Sequence, residues 1–283
     1  GYAYEQMAIL FRTNLGIRFV MDALMKCGIP FHMKDAIPNL FAHWISLDII
    51  AYLRLVSGTG NTRANWLRIM NRPNRYIKRE ALAPFTSDIS VAQLKAYYQD
   101  KDWMLERLDR LEYDLSIMKR MSPYAAIHYL SNAMKYQDYL KDYAKEHHIN
   151  EQELLDVLNA VHESSQSCRT FAEWFTYIDT YTEELQKQAK SPASKDANNE
   201  SGVCLCTLHC AKGLEYPIVF IPDINEDNIP HARAAVDADL EEERRLFYVG
   251  ITRAKEHLHL YCVGEASGKE KFPSRFLEEL NEM

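Results

Sequence analysis

Long apolar runs are missing from this sequence, and so is any surplus of positive charge. No stretch reaches the roughly 18 apolar residues of a membrane helix, and no secretory signal opens the chain. A formal net charge of −7 over 283 residues excludes a surface coated evenly in cations, so any contact with polyanions must come from local distribution. Cysteine is sparse. Its six positions (27, 168, 204, 206, 210 and 262) suit a reduced, cytosolic protein better than a disulfide framework. Glycine is absent from 80 to 190, where strand signals vanish as well. No G-x-x-x-x-G-K-[ST] occurs, since "SGKEK" at 267–271 lacks the upstream glycine and the hydroxyl residue, and no strand ends in Asp-Glu. The chain therefore lacks the usual means of holding a magnesium nucleotide by itself.

What is present is the mixture of a globular protein: 47% hydrophobic and 26% charged residues, in a length that allows one large domain or two ordinary ones. The opening "GYAYEQMAILF" has no initiator Met and starts almost inside a strand-like run, so the chain is expected to be a piece of a longer polypeptide.

The pattern changes twice along the chain. "QMAILF", "GIRFVMDALMKCG" and "IPFHM" read as strand, helix and strand, followed by the long helix "LFAHWISLDIIAYLRLVSG" and the short one "NTRANWLRIMNRP". From Glu80 to Lys190 charged, Tyr-rich helical periodicity takes over, with helix starts at Ser122-Pro123 and Asn150. "QKQAKSPASKDANNESG" has no large apolar residue and reads as a flexible connector. "VCLCTL", "PIVFI" and "HLHLYCV" then restore strand character around the helix "DLEEERRLFYVGITRAK". The simplest organisation is one α/β domain in two pieces, 1–79 and 201–283, with an all-helical domain and its linker, 80–200, inserted between them.

Three segments carry chemistry. In "CLCTLHCAKGLEYPIVFI", Cys204, Cys206, His209 and Cys210 have no familiar zinc spacing, so no metal is expected and the cysteines read as core. Thr207, His209, Lys212, Gly213 and Glu215 instead cluster after a strand, where open α/β sheets bind ligands. In "LEEERRLFYVGITRAKEHLHLYC", Leu240, Phe247, Tyr248 and Ile251 have the spacing of a buried face, and Glu241 to Arg245 read as an exposed one. Arg253 follows the helix and could meet phosphate oxygens in a bidentate way. In "AILFRTN", Arg12 also follows a strand. Together the two arginines and the Glu215 loop are expected to form one phosphate-facing edge. A fourth feature is the acid-free run Arg63, Arg68, Arg72, Arg75, Lys78 and Arg79, with Trp66 and Tyr76 nearby for base stacking. It reads as either a solvated helix face or a nucleic-acid contact.

These segments resemble the C-terminal half of UvrD/Rep/PcrA-type superfamily 1 DNA helicases. "MAILFRTN" is similar to motif IV, "TLHCAKGLEYPIVFI" to motif V and "LEEERRLFYVGITRAKE" to motif VI, in the family's order. The resemblance covers about 4–80 and 201–264. It implies a RecA-like second motor lobe, a parallel-sheet α/β domain without its own P-loop, carrying an inserted helical accessory domain. It further implies a 3′-to-5′ ATP-driven DNA translocase or helicase in the bacterial cytoplasm. ATP with Mg²⁺ would be bound mainly by an N-terminal lobe of the same polypeptide, and none would be held by this chain alone. Arg12 and Arg253 would stabilise the transferring phosphate, and Glu215 and Gly213 would contact the nucleotide. Thr207, His209 and Lys212, with Arg72 and Arg75 from the basic run, would contact single-stranded DNA, and duplex DNA is a further candidate partner. Where the family has Ala-Gln-Ser-Arg after the motif IV Asn, this chain has Leu15, Gly16, Ile17 and Arg18. The alternatives are the helicase portion of a recombination helicase–nuclease, or a non-catalytic DNA- or protein-binding module that keeps the lobe fold.

Overall fold

A computed structural model describes residues 1–34, 38–60, 62–190, 201–232, 234, 237–266 and 269–281. The expected connector, 186–202, is corrected at its start, where Gln186 to Lys190 continue the helix that begins at Phe171; its central part, 191–200, and the Ser267-Gly268 pair lie outside the described residues. In chain order the elements open with β1 (Met7–Phe11), α1 (Asn14–Cys27), β2 (Phe31–Met33), α2 (Trp44–Ser57) and α3 (Thr62–Ile69). The helical run continues with α4 (Val91–Tyr97), α5 (Asp102–Met118), α6 (Pro123–Asn132), α7 (Tyr136–His147), α8 (Glu151–Ser164) and α9 (Phe171–Lys190). After it come β3 (Val203–Thr207), β4 (Tyr216–Ile221), α10 (Asp237–Ile251), β5 (Ala254–Leu260) and α11 (Arg275–Asn281).

The chain folds as two compact units, Gly1–Pro38 with Leu185–Met283, and Asn39–Glu184. The first is the α/β unit. Its sheet runs β2-β3-β1-β4-β5 with every neighbouring pair parallel, the architecture expected of a RecA-like lobe. Parallel strands demand apolar residues on both faces, and "MAILF" and "VCLCT" supply them. Ala8, Leu10, Cys204, Cys206, Val219 and Ile221 form one buried face against Leu246, Phe247 and Phe276 of α10 and α11. Two glycines permit close approach. A Cβ on Gly202, at φ 99°, would strike the Pro30 backbone, and one on Gly250 would strike the Leu208 side chain beneath α10.

The second unit is all-helical. Its centre is α2, buried at Ile45, Ser46, Asp48, Ile49, Ile50, Ala51, Tyr52, Leu53 and Val56. A helix this apolar around its circumference needs cover on several sides, and α3, α5, α6 and α8 provide it. That requirement corrects the expected boundary. Residues 39–79 belong with the helical unit rather than with the α/β domain, and the division falls at Pro38/Asn39 instead of 79/80. Helix starts follow the sequence signals, with the Ser122 hydroxyl accepting from the Ala125 amide and the Asn150 side chain from the Gln152 amide.

Candidate functional site

The α/β unit presents polar side chains at two opposite edges of its sheet. At the amino edge, Glu215 precedes β4 and Arg253 precedes β5, and the Tyr216 amide donates to the Arg253 carbonyl at 2.9 Å. The Arg253 guanidinium donates from Nη1 to the Leu214 carbonyl at 3.0 Å, from Nε to the Val249 carbonyl at 2.8 Å and from Nη2 to Thr252 Oγ1 at 2.9 Å. It thereby ties the end of α10 to the loop that carries Glu215. Gly213, at φ 85°, makes the turn that brings that loop to the edge, a conformation costly for a residue with a Cβ. Glu215 is exposed and pairs with Lys255 Nζ at 3.0 Å. The hydrogen bond from Lys255, with its charge and that of Arg253, holds the Glu215 carboxyl below the usual range.

At the carboxyl edge, Arg12 follows β1 and Thr207 ends β3, and the Leu208 amide donates to the Phe11 carbonyl at 2.8 Å. The chain then turns over buried Leu208 and Ala211, which leaves His209 and Lys212 exposed.

Arg12 is not free. Its Nε donates to Glu243 Oε2 at 2.8 Å and its Nη2 to Oε1 at 2.5 Å, with only 18% and 10% of the two side chains exposed. Glu243 also accepts from the His231 amide at 3.1 Å. Burial pushes the Glu243 carboxyl up, but the Arg12 hydrogen bonds, the His231 amide and the Arg12 charge outweigh it, and the group lies below its ordinary range.

This geometry corrects the expected convergence. Met7 pairs with Ile218, so Arg12, five residues on, and Glu215, three residues before Ile218, stand eight strand steps apart. At about 3.3 Å per step that is roughly 26 Å. Glu215, Gly213 and Arg253 come together; Arg12 shares the opposite edge with Thr207.

The basic run is also put to internal use. Asp48 is fully buried and accepts from Arg72 Nη1 at 2.8 Å, Arg68 Nη1 at 3.0 Å and Tyr136 Oη at 2.9 Å. Arg75 Nη1 donates to the carbonyls of Ile69 and Pro73 at 3.1 and 3.2 Å. The Arg72 and Arg75 guanidinium groups thus brace the helical unit, each through its Nη1. Trp66 is only 2% exposed and donates to the Ile89 carbonyl, so it offers no stacking face. Tyr248, expected on the buried face of α10, is 64% exposed, while Glu243 takes a buried position with Leu246, Phe247 and Gly250. Glu243 and Lys255 are the site neighbours that sequence reasoning missed. The helical phase of Leu246, Phe247 and Gly250 (i+3, i+4 and i+7 from Glu243) is the signal that reveals the first. Cys204 and Cys206 are buried in the core, and among the described residues no cluster of His, Cys, Asp or Glu could hold a metal ion. Nor is any described helix long and apolar enough to cross a membrane.

Comparison with known proteins agrees with this architecture. A family model described as the UvrD-like helicase C-terminal domain matches residues 1–264. The Bacillus subtilis protein YjcD is 30% identical over 99% of this chain, which covers 37% of that protein. The ATP-dependent DNA helicase PcrA of Staphylococcus epidermidis is 29% identical over the whole chain, 40% of its own length. The Bacillus subtilis PcrA is 30% identical over 90% of the chain, 36% of its own length. The chain thus spans about two fifths of the length of the relatives it matches.

Proposed function

The chain belongs to the UvrD-like helicase C-terminal domain family, and on that footing we propose that it is the second motor lobe and helical insert of an ATP-dependent DNA helicase of the bacterial cytoplasm. The amino edge of the sheet meets the nucleotide and the carboxyl edge meets single-stranded DNA. ATP and Mg²⁺ are held mainly by a P-loop and acidic pair in an N-terminal lobe of the same polypeptide. The chain's own contribution is Arg253, aimed at the phosphate that is transferred, and Glu215, which accepts from the ribose hydroxyls next to Gly213.

The observation that carries this reading is the Arg253–Leu214 bond, which fixes a guanidinium beside an exposed carboxylate at one edge. The chemistry fits. Phosphoryl transfer needs positioning and charge stabilisation more than covalent help, and one arginine can be worth about 10³ to 10⁵ in rate. A guanidinium with its Nε and one Nη on carbonyls keeps further N–H groups for an incoming oxyanion.

Arg12 has a different role in this reading. At the carboxyl edge it positions α10 through Glu243 and lies with Thr207, His209 and Lys212 on the DNA side. The experiment that tests the assignment is ATP turnover by the full-length polypeptide with Arg253→Ala. Loss of kcat with nucleotide binding retained supports the role, and unchanged kcat removes it. The isolated chain is expected to hydrolyse no ATP.

A further inference from the structure

Strands β4 and β5 fall out of register at one point, and that point lies at the amino edge. Tyr216 pairs with Ala254 and Ile218 with His257, so β5 takes three steps where β4 takes two. The extra residue is a bulge at Lys255 and Glu256. Opposite it stands Pro217, which has no amide to give the ladder. A bulge re-aims the side chains beside it. Here Lys255, two residues after Arg253, turns its Nζ onto Glu215 Oε2 at 3.0 Å.

The pair does little for the fold. The lysine and glutamate side chains are 54% and 56% exposed, and exposed pairs of this kind add little stability. What the lysine does is restrict the carboxylate. A free surface glutamate samples many rotamers and gives up that freedom when it must meet a ligand. One already held by an ammonium group has given up part of it beforehand, which is preorganisation. Among the described residues Glu215 Oε1 has no hydrogen-bond or ion-pair partner. One oxygen is held, the other is open, and the neighbouring Arg253 guanidinium is fixed on the Leu214 carbonyl.

We propose that Lys255 is a positioning residue for the nucleotide, holding the Glu215 carboxylate in the arrangement that leaves Oε1 for a ribose hydroxyl. The inference deepens the proposed function and rests on its assignment of Glu215 to the sugar. Lys255 acts through Glu215, so its effect lies in nucleotide binding and vanishes when the carboxylate is gone. The transferring phosphate is the share of Arg253, and turnover at saturation is left alone. A lysine that met phosphate directly would behave otherwise, because it would act with or without Glu215.

The test is a double-mutant cycle on ATP turnover by the full-length polypeptide at saturating single-stranded DNA, with Lys255→Met, Glu215→Ala and the two combined. Lys255→Met is expected to raise KM for ATP about two- to fivefold, the coupling of an exposed ion pair, with kcat within about twofold of wild type, the pattern of lost uniform binding. Lys255→Arg keeps KM near wild type. Lys255→Glu, which sets a second carboxylate against the first, raises it beyond the Met variant. In the Glu215→Ala background Lys255→Met changes nothing further. An unchanged KM in Lys255→Met, a fall in kcat in place of the KM effect, or the same rise with Glu215 absent overturns the inference and leaves the assignment of Glu215 standing. A wild-type KM in Glu215→Ala strikes that assignment, and this inference with it.

Discussion

The Arg253 guanidinium donates to the Leu214 carbonyl at 3.0 Å, so the last residue before β5 and the loop before β4 share one hydrogen bond across the amino edge of the sheet. That bond fixes where the guanidinium can point, and it puts Glu215 one residue away from the acceptor.

Geometry at this edge gives the first expectation. Arg253→Lys keeps the charge but loses the planar fork that spans Val249, Leu214 and Thr252. In the full-length polypeptide it should lower ATP turnover nearly as far as Arg253→Ala does. Steady-state kcat for the two variants checks this, and a lysine variant close to wild type would show that charge alone suffices.

Close packing gives the second. A methyl group at Gly250 collides with Leu208 under α10. Gly250→Ala is expected to destabilise by about 1–3 kcal/mol through overpacking, and to lower turnover because Arg253 follows the same helix. Chemical denaturation and kcat report the two effects separately.

The third concerns Arg12 and Glu243. Glu243→Gln removes charge from a mostly buried pair and should cost about 1.5–3 kcal/mol at neutral pH. Because the folded-state pKa of Glu243 is lowered, its stabilisation is full above the unfolded carboxyl value of about 4.3 and is lost as pH falls through the folded value. The melting-temperature gap between wild type and Glu243→Gln should therefore close on acidification through the carboxylate range. A constant gap would mean that the pair contributes shape and not charge.

The fourth lies in the helical unit. Asp48→Ala leaves Arg68, Arg72 and the Tyr136 hydroxyl facing a site with no carboxylate. Breaking a buried ionic network from one side costs about 3–5 kcal/mol. Denaturation should show a loss of that size, whereas Arg72→Ala should lower stability without changing the salt slope of single-strand binding.

The fold class was legible because the parallel sheet writes itself as short apolar runs, "MAILF" and "VCLCT", separated by helical spacing. Helix starts at Ser122 and Asn150 were legible for the same local reason: one side chain caps one amide. The division at Pro38 was not. Residues 39–79 follow a strand in sequence, and only the burial of α2 on several sides reveals that they belong to the helical unit. Arg12 misled because a strand-end arginine looks the same in sequence at either edge, and the sheet order needed to tell the edges apart is long-range. The internal partner of Arg72 was not legible, because an acid-free run says nothing about a carboxylate such as Asp48, twenty-four residues upstream. Glu243 was legible in principle, since its phase with Leu246 and Phe247 marks the covered side of α10.

The assignment of two edges to two ligands is tested most directly by comparing Arg253→Ala and Arg12→Ala in the full-length polypeptide, with kcat for ATP at saturating single-stranded DNA and DNA affinity measured on both. The expected result is a fall in kcat of about a thousandfold for Arg253→Ala at near-normal DNA affinity, against a weakened DNA affinity for Arg12→Ala at a kcat within tenfold of wild type. Equal collapse of kcat in both, with DNA affinity intact, would put the two arginines on the same phosphate and contradict the separation of edges.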